Sequence, residues 1–183
     1  MFKNNEYILK GDIEIRGEFA FMMRKLKLIF DTGWEIYYIA GIVGSIQGVC
    51  IEPEKSNIEP FKIFSNEINN HESEIKMSYI ICMLLTSPED EKKENAFKYY
   101  TPFEGNEAAS ERSRENCRVF NKYVLGGIKF LYDNLLNDNV SQDIKKENYK
   151  IDDEDKLIKA IHAFVGKINI NVEPGEINES LLE

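Results

Sequence analysis

Histidine is scarce in this chain, and cysteine is sparse and unpaired. The two histidines, His71 and His162, stand far apart, and neither belongs to an H-E-x-x-H run or to a pair at helical spacing. Cys50, Cys82 and Cys117 are odd in number, widely separated and flanked by apolar residues, with no C-x-x-C among them. Metal catalysis therefore has no recognisable ligand frame, and neither a zinc site nor a dithiol redox motif is signalled. Three buried, reduced thiols are expected, with burial raising their pKa and leaving them inert. His71 falls in a polar turn and is expected at the surface. His162, beside an apolar stripe, is expected to be packed or half-exposed.

A basic surplus is also missing. Lys+Arg total 23 against Asp+Glu 32, a formal net charge of −9. A general nucleic-acid-coating protein normally presents a basic surface, so that class is disfavoured, although a local basic patch is not. The nucleophile elbow G-x-S-x-G is absent, because Gly44-Ser45 lies inside an apolar run. The glycines of that run lack both the Lys-Ser/Thr of a phosphate loop and the G-x-G-x-x-G of a dinucleotide site. Glu52 and Glu54 ahead of Lys55 have the composition of a nuclease acid-and-lysine cluster, but Pro53 interrupts the strand that such a cluster needs. No stretch supplies the roughly 20 apolar residues of a membrane span. The opening residues carry charges throughout and no apolar signal core. A cytoplasmic protein that engages no membrane is expected.

What the sequence does contain is apolar helix. Residues 34–48, WEIYYIAGIVGSIQG, leave almost no polar side on a helical wheel, the mark of a deeply buried helix. Gly41, Gly44 and Gly48, at spacings of three and four, share one face. Each costs roughly 1 kcal/mol against alanine, which close approach of a second backbone could offset. Ahead of this segment, Ile13 and Ile15 alternate with polar residues as a short strand does, with Gly11 at a bend. Phe19, Met22, Met23, Leu26, Ile29 and Phe30 predict a helix over 18–30, and Asp31-Thr32-Gly33 closes it and caps the next. Pro53 and Pro60 make 49–64 loop with at most one short extended piece. Ser65 is placed to cap a short helix to Asn70. A buried helix is expected over 72–86, and Ser87-Pro88-Glu89-Asp90 reads as a fresh start for a helix running to Tyr100. Cys117, Phe120, Val124, Ile128, Leu131 and Leu135 stripe one long helix from Asn106 to Asn137, with polar first turns expected to project and Gly126-Gly127 marking a tight contact or kink. Leu157, Ile161, Phe164, Val165 and Ile168 stripe a last helix from Asp153. The expected organisation is one mainly α domain over 1–168, built around the central buried helix at 34–48, with a short strand element near the N-terminus and an acidic tail at 169–183.

Two basic groupings stand out in so acidic a chain. Arg114, Arg118 and Lys122 recur every four residues on the long helix, with Tyr123 beside them, and Arg24, Lys25 and Lys27 form a second cluster. Such a ridge could meet phosphates or an acidic partner, or it could be a solvated face balanced by Glu111 and Glu115. The surplus of acid raises the opposite idea, a DNA mimic, although the carboxylates are clustered only at 89–91 and in the tail.

Three segments in order, FDTGWEIYYIAGIVGSIQG at 30–48, MSYIICMLLTSPED at 77–90 and FNKYVLGGIKFLYDNLL at 120–136, resemble small helical accessory proteins encoded beside ATPases and nucleases in bacterial DNA-modification and anti-phage defence operons. The resemblance spans about half of the chain and rests on glycine-bearing apolar helices. It implies a non-enzymatic adaptor with no cofactor, bound to a larger ATPase or nuclease subunit and reaching nucleic acid through that complex. Self-association is left open. The alternatives are direct nucleic-acid binding through the basic ridge and an acidic DNA-mimic inhibitor.

Overall fold

A computed structural model describes residues 11–53, 59–100 and 106–137. The helix expected over 153–168, the acidic tail, His162 and the Glu54–Lys55 pair lie outside the described residues. The fold is mainly α. In chain order it comprises β1 (Ile13–Ile15), α1 (Glu18–Leu26), α2 (Gly33–Gln47), β2 (Phe61–Ile63), α3 (Ser65–Asn70), α4 (Glu72–Thr86), α5 (Lys92–Phe97) and α6 (Glu107–Tyr132), which runs into a π-helical turn, Asp133–Asn137. The two strands form a small antiparallel ribbon in which Ile13 faces Ile63 and Ile15 faces Phe61.

The central helix begins where its capping chemistry predicts. Glu35 N–H donates to the Thr32 hydroxyl at 3.4 Å, and its carboxylate accepts from Thr32 N–H at 2.9 Å. This reciprocal box satisfies two amides that the first turn leaves unpaired. The helix ends at Gly48, whose φ of 64° is left-handed, a conformation that costs glycine no steric penalty.

Glycine decides how α2 meets α6. A Cβ on Gly44 would overlap the Tyr123 carbonyl oxygen and stand 2.9 Å from the Gly127 amide nitrogen; one on Gly127 would overlap the Ala40 carbonyl. Gly126 is held as closely against Val49. The two backbones are in contact at Gly44, as expected of the glycine face, and Gly126-Gly127 is a tight-packing point; Gly41 instead meets the Ser78 and Phe120 side chains, and Gly48, expected on the same face, has nothing within 4 Å. Phe120 fills the space over Gly41 and meets Tyr37 and Tyr79 edge-on at ring-centroid distances of 5.8 Å. Around these rings Ile36, Ile75, Met83, Val124, Ile128 and Leu131 are fully buried.

Four details depart from the sequence expectations. The regular part of α1 ends at Leu26 rather than near 30, and Leu28 and Ile29 continue through i to i+3 bonds, the tighter geometry common at helix ends. The Ser87-Pro88 restart is a turn, and α5 begins only at Lys92. Ser87 does not cap it, because its hydroxyl is engaged by the Asn95 side-chain amide at 3.1 Å. The helix α3 does run from Ser65 to Asn70, but its start is held by the Glu67 carboxylate, which accepts from Phe64 N–H, and by Asp12, which accepts from Ser65 N–H. The first turns of α6 do not project: Ser110, Ser113 and Asn116 are buried. They close a polar seam with α4 and α5. Tyr79 donates its hydroxyl to the Asn95 carbonyl at 2.7 Å, and the Asn95 side-chain oxygen accepts from Arg112 Nε at 3.0 Å and from Asn116 at 3.3 Å. Polar sequence therefore became interior here, because each buried group but the Ser113 hydroxyl has a partner.

Candidate functional site

The basic ridge on α6 carries its own counter-charges. Arg114 hydrogen-bonds Glu111 and Glu107, each at 2.8 Å, and Arg118 reaches Glu115 at 3.1 Å and Glu111 at 3.2 Å. Lys122 pairs with Glu52 at 2.7 Å. Hydrogen bonds from Arg114 and then Arg118 hold the Glu111 carboxyl below the ordinary carboxylate range. A phosphate would have to displace these acids, so the ridge offers little net positive field. Tyr123 is half-buried against the core, and burial raises its hydroxyl pKa.

The second cluster is dispersed in its contacts. Arg24 donates to the carbonyl of Glu59 at 2.9 Å, Lys25 lies 5.6 Å from the Phe21 ring centroid, and Lys27 donates to the Asp31 carbonyl. Arg24 and Lys27 fasten α1 to its neighbouring segments, whereas Lys25 lies against a ring of its own helix.

Two cysteines fit the expectation and one corrects it. Cys82 and Cys117 are buried, and desolvation pushes their thiols up to about 11 and about 12. Cys50 is exposed, because the chain leaves α2 at Gly48 and runs over the outside of α6, Ile51 N–H donating to the Lys122 carbonyl at 3.1 Å. Its thiol is still raised, chiefly by desolvation, which outweighs the lowering effect of the nearby Lys122 ammonium. His71 is half-buried, stacked on Trp34 at 3.6 Å with rings 9° from parallel. Among the described residues no group of three His, Cys, Asp or Glu side chains could hold a metal ion, and no helix is long and apolar enough to cross a membrane. One groove, lined by Tyr99, Asn106, Ala109, Glu111, Arg112 and Glu115, is wide open to solvent, and its Arg112 is tied to Glu91 and Asn95.

A different surface emerges from the packing of α2 on α4. These helices run parallel: Trp34 stacks on His71, the Ser78 hydroxyl donates to the Tyr38 carbonyl at 2.8 Å and faces Gly41, and the Cys82 thiol lies against Ser45. Contacts thus advance in step along both helices. On one side of this seam α6 covers the pair through Gly44, Ala40 and Phe120. On the other side lie Ile39, Ile42 and Ile46 of α2 and Met77, Ile81 and Leu85 of α4, at helical spacings that place each trio on one stripe. For a parallel pair the geometry puts the two stripes on the same side. Ile46, Met77 and Leu85 are 40%, 53% and 55% exposed. The remaining three are half-buried.

Sequence reasoning missed this face because all-round apolarity reads as all-round burial. The signal was present in α4, where Met77, Ile81 and Leu85 add an apolar stripe beyond the one that Ile75, Tyr79, Cys82 and Met83 require. Comparison with family models, characterised proteins and solved structures returns no match to this chain.

Proposed function

We propose that the protein is a non-enzymatic accessory subunit that docks a larger protein on the α2–α4 face. The observation that carries this reading is the face itself: two parallel helices place six apolar side chains, three exposed and three half-buried, on the side that α6 leaves uncovered. Contiguous exposed apolar surface of this kind marks interaction sites, and the fully buried centre of a protein interface is depleted of charge. The neutralised ridge on α6 weighs against phosphate as the primary partner. The resemblance to defence-operon adaptors supplies the kind of complex, one built on an ATPase or nuclease.

The test is a tagged pull-down from the native host, with mass spectrometry and a molar-mass measurement of the eluate, repeated with Leu85→Asp. A large subunit recovered at fixed stoichiometry and lost in the variant supports the reading. A lone monomer or homodimer overturns it.

A further inference from the structure

The two apolar stripes share an acidic end. One turn closer to each helix start, the same rows continue at position 35 of α2 and position 74 of α4, and both are glutamate. The Glu35 carboxylate caps its own helix at Thr32. The Glu74 side chain is 43% exposed, and its carboxyl is held below the usual range chiefly by its own backbone N–H and then by the Ser73 hydroxyl. The basic groups near them are few: the His71 ring that precedes α4 stands 3.8 Å from the Glu74 carboxylate while stacked on Trp34. The α2 helix contains no Lys or Arg, and the single cation of α4, Lys76, lies over the Tyr100 ring at 4.1 Å.

A surface of this make-up selects among occupants. Nucleic acid would meet aliphatic side chains and two carboxylates, with no cation to release counterions. A second copy of the face would bring no positive charge to either glutamate. A helix with an apolar stripe of its own can fill the groove between α2 and α4, as in other helix-in-groove complexes. If it runs antiparallel to them, its C-terminus arrives at the glutamate end. Lys or Arg in a helix's last turn is favoured by that helix's own dipole, and there it would also meet Glu35 and Glu74. The span from position 35 to 46 is about 16 Å at ~1.5 Å per residue, or about three turns.

Building on the docking reading, we infer that the α2–α4 face receives an amphipathic helix of a partner protein, antiparallel to both helices and about three turns long, with basic residues in its last turn. The probes are two synthetic helical peptides of about 18 residues with one shared Leu/Ile stripe, carrying Lys or Glu in the last turn. Each is titrated into the full chain by fluorescence anisotropy at near-physiological salt. The Lys peptide binds about 10-fold tighter or better, the scale of one well-placed charge contact. Leu85→Asp and Met77→Asp each weaken it by at least about 10-fold, Glu74→Lys reverses the preference, and Phe97→Asp, on the separate helix α5, leaves it unchanged. Equal binding of the two peptides, no binding, or indifference to Leu85→Asp overturns the inference.

A photo-crosslinking residue in place of Leu85, activated in the native host, separates this failure from failure of the docking reading. A crosslink to a partner protein whose helix lacks the basic end overturns the inference and leaves docking intact. A crosslink to a second copy, or to residues 153–168 of the same chain, overturns both.

Discussion

Replacing Gly44 by alanine tests the central feature of the fold. On an isolated helix the substitution would stabilise by about 1 kcal/mol, the propensity difference between the two residues. Here the new Cβ would overlap the Tyr123 carbonyl oxygen and sit 2.9 Å from both the Tyr123 carbonyl carbon and the Gly127 amide nitrogen. All three atoms are backbone of α6, so no side chain can swing aside. The helices must separate, and every contact between them, including Phe120 over Gly41, loosens with that shift. Overpacking of a close-packed interior costs about 1–3 kcal/mol and sometimes more, and a rigid backbone neighbour argues for the upper part of that range. After the propensity gain of about 1 kcal/mol the expected net loss is about 1–2 kcal/mol. For a chain of this size about 1 kcal/mol shifts Tm by roughly 2–4 °C, so Tm should fall by roughly 2–8 °C. Thermal melts by far-ultraviolet circular dichroism, paired with urea titrations read at Trp34, measure it. Gly48→Ala is the internal comparison. There a Cβ meets nothing within 4 Å but the φ of 64° is retained, so only the strain of a left-handed alanine, about 1–2 kcal/mol, applies. A Gly44→Ala protein as stable as the parent, or more stable, would refute the backbone contact between α2 and α6.

Tyr37→Phe removes a buried hydroxyl that donates to the Asn121 side-chain oxygen at 2.6 Å; the stranded acceptor should cost about 1–3 kcal/mol in the urea midpoint. Asn95→Ala opens the polar seam under Arg112 and Asn116, with an expected loss of about 2–3 kcal/mol and faster amide exchange across α5. Acid should destabilise the fold. Glu14, chiefly through Arg16, Glu74, chiefly through its own backbone, and Glu111, chiefly through Arg114, are all held below the ordinary carboxylate range. Groups with depressed folded pKa contribute stability above their unfolded value of about 4.3 and lose it as pH falls through the folded value. The urea midpoint should therefore drop below about pH 4, and a midpoint that rises on acidification would contradict the assignment. Arg118→Glu alters an exposed network and should move Tm by less than about 3 °C, with no change in the binding of a duplex DNA probe between low and physiological salt; a salt-sensitive DNA shift that this variant abolishes would restore the ridge as a phosphate site.

The residues that set local structure could be read without coordinates. Thr32 and Glu35 form a box because their spacing allows the reciprocal bonds. Gly48, read as part of the packing face, instead ends α2, because its φ of 64° lies in the left-handed region that glycine enters freely. Ile13 and Ile15 mark β1 by alternation, although its partner, Phe61–Ile63, lies almost 50 residues on and its pairing is not local information. Polar composition misled where partners were supplied from elsewhere. Ser110, Ser113 and Asn116 read as a solvated first stretch of α6 and are interior, because Asn95 and Tyr79 come from other elements to meet them. Cys50 read as buried from its apolar neighbours and is exposed, because the path of the chain after Gly48 is set by α6.

The candidate site divides along the same line. Arg114, Arg118 and Lys122 were identified as a ridge by their fourfold spacing, and the sequence already held Glu107, Glu111 and Glu115 in reach on the same helix. Whether acids or ligands complete those cations depends on rotamers and on Glu52, brought in from the segment after α2. The apolar face was legible only as excess hydrophobicity. Periodicity states how many apolar residues a helix has and on which side they fall; it cannot state how many sides are covered. That count depends on how many neighbours α2 and α4 acquire, and it is decided when α6 settles on one side of the pair through its glycines. Local hydrogen-bonding and backbone preferences act over a few residues and are written in order along the chain, whereas exposure is a property of the assembled packing.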